Sequence, residues 1–541
     1  MPPMGIMIEE TTRGSTRRRG VLGATALGLA LMAQAGVAGA YGVEIPENGT
    51  VAFGRGGAFL ARASDASAVM HNIAGISGLS GPRLHLSIGS NVGSYSHCFQ
   101  RAGNYDDGLT TTLNVDGTRF DPNPNEPNSE PRYAARPTPY PEICNEPRVA
   151  LAPMILGTYR LTERLTLGFG VFAPSTQGSG QNFPDVVTAT NDRGESFEAP
   201  SPARNLLYRK NLLVLYPTVG ASYQINNWLR VGAALHVGFA SFNFGLHANA
   251  NRTAPQSPST ETLIELGATG LLLGTSLGFQ ALPLPNLSFG ANFRYTMPVN
   301  ASGTANTTFN PYATNDADRV RGSFDINKMT VELPWNLRAS VRYNHPRAGR
   351  PRQNDGTGRY DPMTDDVFDV EATFIYENTN TLGTVSLENS GGINTGAALG
   401  VVPAPAAITI SSALTNVMGV RLGGDVNVIP GRLALRAGFS MESRGASPDA
   451  AQIHLPAYSG FSIHGGATYR FSQRLAINVG FGHFIFDNND ASNGRRAVTV
   501  PSPQIDPTNC PADAGPGTCR INQGVYRASF TAGSLGFNLA F

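Results

Sequence analysis

Residues 229–239 read LRVGAALHVGF. The odd positions Leu229, Val231, Ala233, Leu235, Val237 and Phe239 are all apolar. The even positions Arg230, Gly232, Ala234, His236 and Gly238 are small, polar or charged. Strict two-residue alternation predicts a strand with one face in hydrocarbon and the other in a wet interior. The pattern recurs along the chain. Leu165, Leu167, Phe169 and Val171 alternate with Thr166, Gly168 and Gly170, and Leu287, Phe289, Ala291, Phe293, Tyr295 and Met297 alternate with Ser288, Gly290, Asn292, Arg294 and Thr296. Segments 433–441, 475–481 and 534–541 repeat it. A cation facing mid-membrane lipid costs roughly 2–4 kcal/mol. Arg230, Arg294 and Arg436 all fall on the opposite face, as a lipid-facing wall demands.

The repetition predicts an all-β fold, a transmembrane antiparallel barrel of fourteen strands. They lie near 83–92, 148–160, 165–172, 212–225, 229–244, 263–281, 287–297, 329–343, 367–377, 417–429, 432–442, 460–471, 475–486 and 525–541. Short links such as 162–164 and 226–228 alternate with long ones such as 93–147, 173–211, 298–328 and 378–416, the asymmetry of periplasmic turns and outer loops. One link, 344–366, is long where a short turn is due. It reads as a basic, flexible periplasmic insertion, with a missed hairpin as the rival explanation. Phe541, ending the last alternating strand, fits a signal read by the barrel-assembly machinery.

The chain has 541 residues, with 40 Lys and Arg against 39 Asp and Glu, so its charge balance offers nothing to nucleic acid. Past the N-terminus no stretch reaches the ~18 apolar residues of a spanning helix. Residues 1–40 read as an export signal, with Arg17, Arg18 and Arg19 before an apolar run and small residues at Ala38-Gly39-Ala40. Export and a barrel together predict the bacterial outer membrane, with its lipids around the wall. Four cysteines allow three pairings. The local ones, Cys98 with Cys144 and Cys510 with Cys519, are favoured as loop staples in an oxidising compartment. Zinc is the rival, but no histidines stand at ligand spacing, so neither a metal nor another cofactor is expected.

Residues 41–82 do not alternate. They are rich in Gly, Ala and Ser yet carry Val51, Phe53, Phe59, Leu60, Val69, Met70, Ile73 and Ile76. That apolar content predicts burial as a plug inside the lumen, leaving 83–541 as the barrel. A tail outside the barrel is the plain alternative. The segment resembles the N-terminal hatch of the outer-membrane transporters for long-chain fatty acids and aromatic hydrocarbons. Gly54-Arg55-Gly56-Gly57-Ala58, Asp65-Ala66-Ser67-Ala68-Val69 and Asn72-Ile73-Ala74-Gly75 stand where that family has a glycine-rich stretch, an aspartate-alanine segment and an Asn-Pro-Ala triplet. Ile73 replaces the proline and removes its rigid φ. Segments 148–176 and 212–244 are similar to early strands of the family, and Leu333-Pro334-Trp335 to a late one.

The resemblance implies passive uptake of a hydrophobic small molecule through a lumen pocket, a hatch movement and a lateral exit where the third strand kinks. Long-chain fatty acids are the default substrate, and aromatic or alkane hydrocarbons the alternative. Gly168 and Gly170 lie on that third strand, although the need for small lumen residues also explains them. Val43 and Ile45 correspond to apolar N-terminal residues that reach the pocket. Asn72 is expected to latch the hatch to the wall, against the plain reading of an Asn turn. Inward Arg230, His236, Arg294, Arg338, Arg342, Arg421 and Arg436 are candidates for a carboxylate, although most lumen cations pair with inward acids such as Asp369, Glu371, Asp425 and Glu442. A lipid hydrolase would need a nucleophile beside His236 or His464, and none is evident, so no catalytic residue is expected. A general diffusion porin would lack the plug.

Overall fold

The computed structural model describes residues 48–101, 139–146, 149–174, 181–190, 194, 196–203, 207–249, 261–309, 311, 316, 319–356, 358–389, 391–396, 398, 400–403, 407–411, 414–446, 459–486, 489–490 and 524–541. Val43, Ile45, Cys510, Cys519 and the export signal lie outside them. Fourteen antiparallel staves form one closed sheet. In chain order they are β1 (Leu84–Arg101), β2 (Val149–Arg160), β3 (Leu165–Phe172), β4 (Leu207–Asn226), β5 (Leu229–Asn249), β6 (Glu261–Leu284) and β7 (Leu287–Thr296, resumed at Val299–Phe309). Then come β8 (Val320–Val331, resumed at Asn336–Pro346), β9 (Asp366–Glu377, resumed at Thr384–Asn389) and β10 (Ala407–Ser411, resumed at Val417–Ile429). Last are β11 (Leu433–Glu442), β12 (Gly460–Ser472), β13 (Leu475–Phe486) and β14 (Gly524–Ala540). Closure is between β14 and β1, from His85 opposite Ala540 to Arg101 opposite Gly524.

The wall obeys the alternation. Along β5 Leu235, Val237 and Phe239 are exposed, whereas Ala234, His236 and Ala240 are buried in the lumen. Exposed Leu167, Phe169, Val171, Leu277, Phe279, Leu435, Val479 and Phe481 continue the apolar band around the barrel. Arg294, Arg338, Arg342, Arg421 and Arg436 are all buried on the inner side.

Several staves are longer than the alternation predicts, and four are broken. Much of 298–328 and 378–416 is strand rather than link. Pro298 interrupts β7, and Leu333-Pro334-Trp335 interrupts β8 instead of lying within it, because proline supplies no N–H to the ladder. β9 and β10 break at the same level, after Glu377 and after Ser411. Trp335 lies beside this bend, its ring 5.8 Å from Phe293 and 5.3 Å from Tyr376.

Residues 48–79 are buried almost throughout and pack against the inner faces of the staves. They form two short helices, Thr50–Gly54 and Ala68–His71, and a 3-10 turn, Ile73–Gly78. Near the long-loop end the lumen is lined by aromatic pairs, Tyr95 on Phe530 at 4.0 Å and Phe99 on Tyr526 at 4.5 Å. Cys98 and Cys144 are disulfide-bonded and join β1 to a short strand, Glu142–Cys144. If the exposed face meets hydrocarbon, Leu235→Arg should block assembly at a cost of roughly 2–4 kcal/mol, whereas Leu235→Phe should not. Retention of heat-modifiable gel mobility by the arginine variant would contradict that.

Candidate functional site

The N-terminal segment brings two arginines into a lumen that already holds carboxylates. Asp369 and Glu371 are two residues apart on β9 and so share its inner face, and Asp425 lies opposite Asp369 on β10. Arg55 Nη1 donates to Asp369 Oδ1 at 2.7 Å and to Asp425 Oδ1 at 2.6 Å, with Glu371 Oε2 3.6 Å from Nη2. Arg62 pairs with Asp369 and reaches Asp425 Oδ2 at 3.2 Å. Glu371 also accepts the backbone N–H of Ala61 at 2.8 Å and of Arg62 at 3.1 Å. All five side chains are buried. Charges so far from water persist only when paired.

Elsewhere the segment rests on glycines. Asn72 Nδ2 donates to Phe279 O on β6 and to Leu60 O, each at 2.9 Å, and its Oδ1 accepts from Ala74 N at 3.2 Å. Asn72 thus joins the wall and also closes its own turn. A Cβ on Gly278 would stand 2.6 Å from Asn72 Oδ1, and one on Gly232 only 3.0 Å from Ala74 N. Ile73 packs its side chain against Gly220, Gly232 and Gly278 on three neighbouring staves. Gly168 has the same explanation: a Cβ there would press on Val69 and Ile76.

Gly170 differs, with φ +139°. Two residues later β3 leaves the wall. It pairs with β2 only up to Met154 opposite Phe172, and with β4 only up to Phe172 opposite Tyr216. Beyond that level, among the described residues, no strand pairs with β2 over Val149–Ala152 or with β4 over Asn211–Leu215 on this side. Among the described residues the wall therefore has a window, with Pro153 and Pro217 beside its lower corners, a placement suited to strand edges. Asn48 fills the break. Its Nδ2 donates to Ala152 O (2.8 Å), Pro153 O (3.1 Å) and Ala173 O (3.1 Å), and its own N–H to Pro174 O.

Behind the window lies a continuous apolar cluster including Met70, Met154, Leu156, Phe172, Phe242 and Leu272. Tyr216 crosses it, 5.3 Å from the rings of Phe172 and His236, and hydrogen-bonds Thr296 through its hydroxyl. His236 is held between Thr218 Oγ1 and Ser276 Oγ, both at 2.7 Å, and the Arg294 guanidinium lies 5.7 Å above the Tyr216 ring.

Of the seven cationic candidates, the structure brings only His236 and Arg294 together on one aromatic ring. Arg338 is on the neighbouring stave, two residues along from Asn336, which stands opposite Arg294. Arg342 is bound to Asp366 and Asp369, Arg421 to Glu442, and Arg436 to Asp425 and Thr468. Arg230 sits under Gly78 and donates to Gln280. Asn48, Arg55, Arg62 and Tyr216 were not singled out in the sequence, although two arginines in an otherwise apolar segment signal buried counter-ions. His464 does contact a hydroxyl, the buried Ser462 Oγ at 2.7 Å, but its half-buried ring packs against Phe53 and Phe484.

No model of a protein family matches the chain, and no curated protein matches its sequence. Solved structures do. A FadL homologue from Pseudomonas aeruginosa superposes with a TM-score of 0.62 at 13% identity, over 93% of this chain and 100% of the other. The Pseudomonas putida toluene transporter TodX gives 0.57 at 14% identity, over 92% and 99%. The Ralstonia pickettii toluene transporter TbuX gives 0.53 at 16% identity, over 92% and 98%. This chain has the FadL-type fold.

In this FadL-type barrel the arginine–carboxylate cluster should hold the N-terminal segment. Asp369→Asn would leave Arg55, Arg62 and Arg342 short of charge, and breaking such buried pairs costs about 3–5 kcal/mol. Amide exchange should accelerate across 55–63 and stay unchanged in β12 and β13. Equal protection in both proteins would refute the clamp.

Proposed function

We propose that the protein is an outer-membrane channel for passive uptake of hydrophobic small molecules, with residues 41–82 as its hatch. The observation that carries this reading is the window beside β3, backed by an apolar cluster and stoppered by Asn48 of the hatch. A hydrophobic molecule entering from the long-loop end would dissolve among Phe, Leu and Met side chains rather than in water. A shift of the hatch that withdraws Asn48 would free the window, and the molecule would pass sideways into the bilayer. No covalent step is required. The FadL homologue, TodX and TbuX support the reading by fold, and the last two are described as toluene transporters.

Long-chain fatty acids remain the first substrate class, with Arg294 and His236 beside Tyr216 as the polar end of the pocket for a carboxylate. A specific observation favours the second class, aromatic or alkane hydrocarbons. Arg342, Arg421 and Arg436 already hold carboxylates of the protein, and the outer lumen is lined by stacked aromatic rings.

Uptake of labelled oleate and of toluene by cells lacking their own transporter separates the two. Asn48→Ala, which takes the stopper's hydrogen bonds from the window, should raise uptake, and Asn72→Ala, which loosens the latch to Phe279, should lower it, neither reducing surface expression. Arg294→Gln should reduce oleate uptake severalfold and spare toluene if a carboxylate is bound. Uptake of neither compound above the empty-vector level would sink the transport reading.

A further inference from the structure

The sequence reads 344–366 as a basic, flexible insertion. It carries Arg347, Arg350, Arg352 and Arg359 against Asp355, Asp361, Asp365 and Asp366, so it is charge-balanced. It is also built into the barrel, because its polar groups find fixed partners on the rim. Asp361 caps a four-residue helix, Pro362–Asp365, by accepting from Met363 N, with proline at the first helical position.

The segment crosses the short-turn mouth. Gln353 Nε2 donates to Leu284 O at 3.0 Å and Asn354 Nδ2 to Leu282 O at 3.2 Å, at the end of β6. On the other side Gly431 N donates to Met363 O, Arg347 to Asn427 O, and Arg470 of β12 pairs with Asp361 Oδ2 at 2.5 Å. Burial works to raise the Asp361 carboxyl, and Arg470 together with the Thr364 hydroxyl and the Met363 N–H more than offsets it, holding that carboxyl below its usual range. One segment thus bridges β6 and β12.

Its inner side meets the same carboxylates that hold the hatch. Arg342 Nη1 donates to Gln353 Oε1 at 3.3 Å and Nη2 to the Tyr360 hydroxyl at 3.2 Å, while Nε donates to Asp369 Oδ2 at 2.9 Å. Asp369 is the residue gripped by Arg55 and Arg62. A continuous chain therefore runs from crossing segment to Arg342, to Asp369, to hatch. Between the hatch and the crossing segment lies a cavity of about 750 Å³, bordered by Arg62 and Asp65 above and by Arg350 and Tyr360 below.

We infer that residues 347–365 are a periplasmic strap that locks the hatch, acting through Arg342 and Asp369. The strap keeps bulk water from the carboxylate cluster. Screening by water weakens a buried ion pair many-fold, since Coulomb attraction scales inversely with dielectric. Lifting the strap removes two of the acceptors of Arg342 and wets Asp369, so Arg55 and Arg62 separate from it more easily. The cavity gives the freed hatch room to move. This inference adds a control element to the uptake channel, and its readout is independent of uptake.

Two variants of the full-length protein test it by hydrogen exchange in detergent micelles. One carries Gln353→Ala, Asn354→Ala and Asp361→Ala, cutting rim contacts and the Gln353 bond to Arg342 while leaving the residues Arg342, Asp369 and those of the hatch unchanged. The other replaces 350–361 with Gly-Ser-Gly. Glu265→Gln, which breaks an exposed pair with Arg209, is the control. Exchange at Ala61 and Arg62, whose amides bond Glu371, should rise about tenfold or more in the strap variants, with β12 and β13 and the control unchanged. A rise confined to the strap itself, or no rise at 55–63 in either variant, overturns the inference.

Discussion

Hydrocarbon offers no hydrogen bond, so every backbone N–H and C=O of a membrane wall must be satisfied within the protein. Closure between β14 and β1 meets this requirement for most of the circumference. An exception among the described residues is the stretch where β3 stops and β2 and β4 continue without it. There the side-chain amide of Asn48 donates to the carbonyls of Ala152, Pro153 and Ala173, and Pro153 O also accepts from Ala173 N. The break in the wall and the first described residue of the N-terminal segment are one hydrogen-bonded unit. Three hydrogen bonds at one amide are far weaker than a ladder.

The lumen solves a different problem. A segment enclosed by a barrel is held by close packing against the wall and by paired charges. Glycine troughs at Gly220, Gly232 and Gly278 let Ile73 and its neighbours approach the wall closely. Arg55 and Arg62 pair with Asp369, Glu371 and Asp425, so one cluster of inward acids holds both cations. Buried ion pairs contribute little net stability once desolvation is counted, but they are costly to half-break. Arg342 ties the same carboxylates to the crossing segment at the short-turn mouth.

The alternation that identifies the wall is read from each residue's own chemistry, which is why β11, β13 and the lipid face of β5 are legible in advance. Breaks were harder to see. Pro298 and Pro334 mark the bend in β7 and β8, and Pro153 and Pro217 mark the window. Each is a visible punctuation in an alternating run. The outer halves of β7 and β8 carry Asn, Thr, Ser and Asp on their exposed faces, so they lose the apolar stripe and resemble links. The crossing segment, too, has no periodicity; only its partners on the rim give it a shape.

From local chemistry alone came the face of every well-patterned stave, the inward placement of the arginines, and an apolar N-terminal segment unsuited to water. Those follow from period-two geometry and transfer energy, which neighbouring residues along the chain decide. Which lumen cation meets which acid was settled by the closed barrel, because Arg55 and Asp369 are 314 positions apart and share a site only once the sheet curls shut. The union of Asn48 with the window depends on the same closure. So does the reach of Asp361 to Arg470, for each joins groups that no sequence-local rule connects.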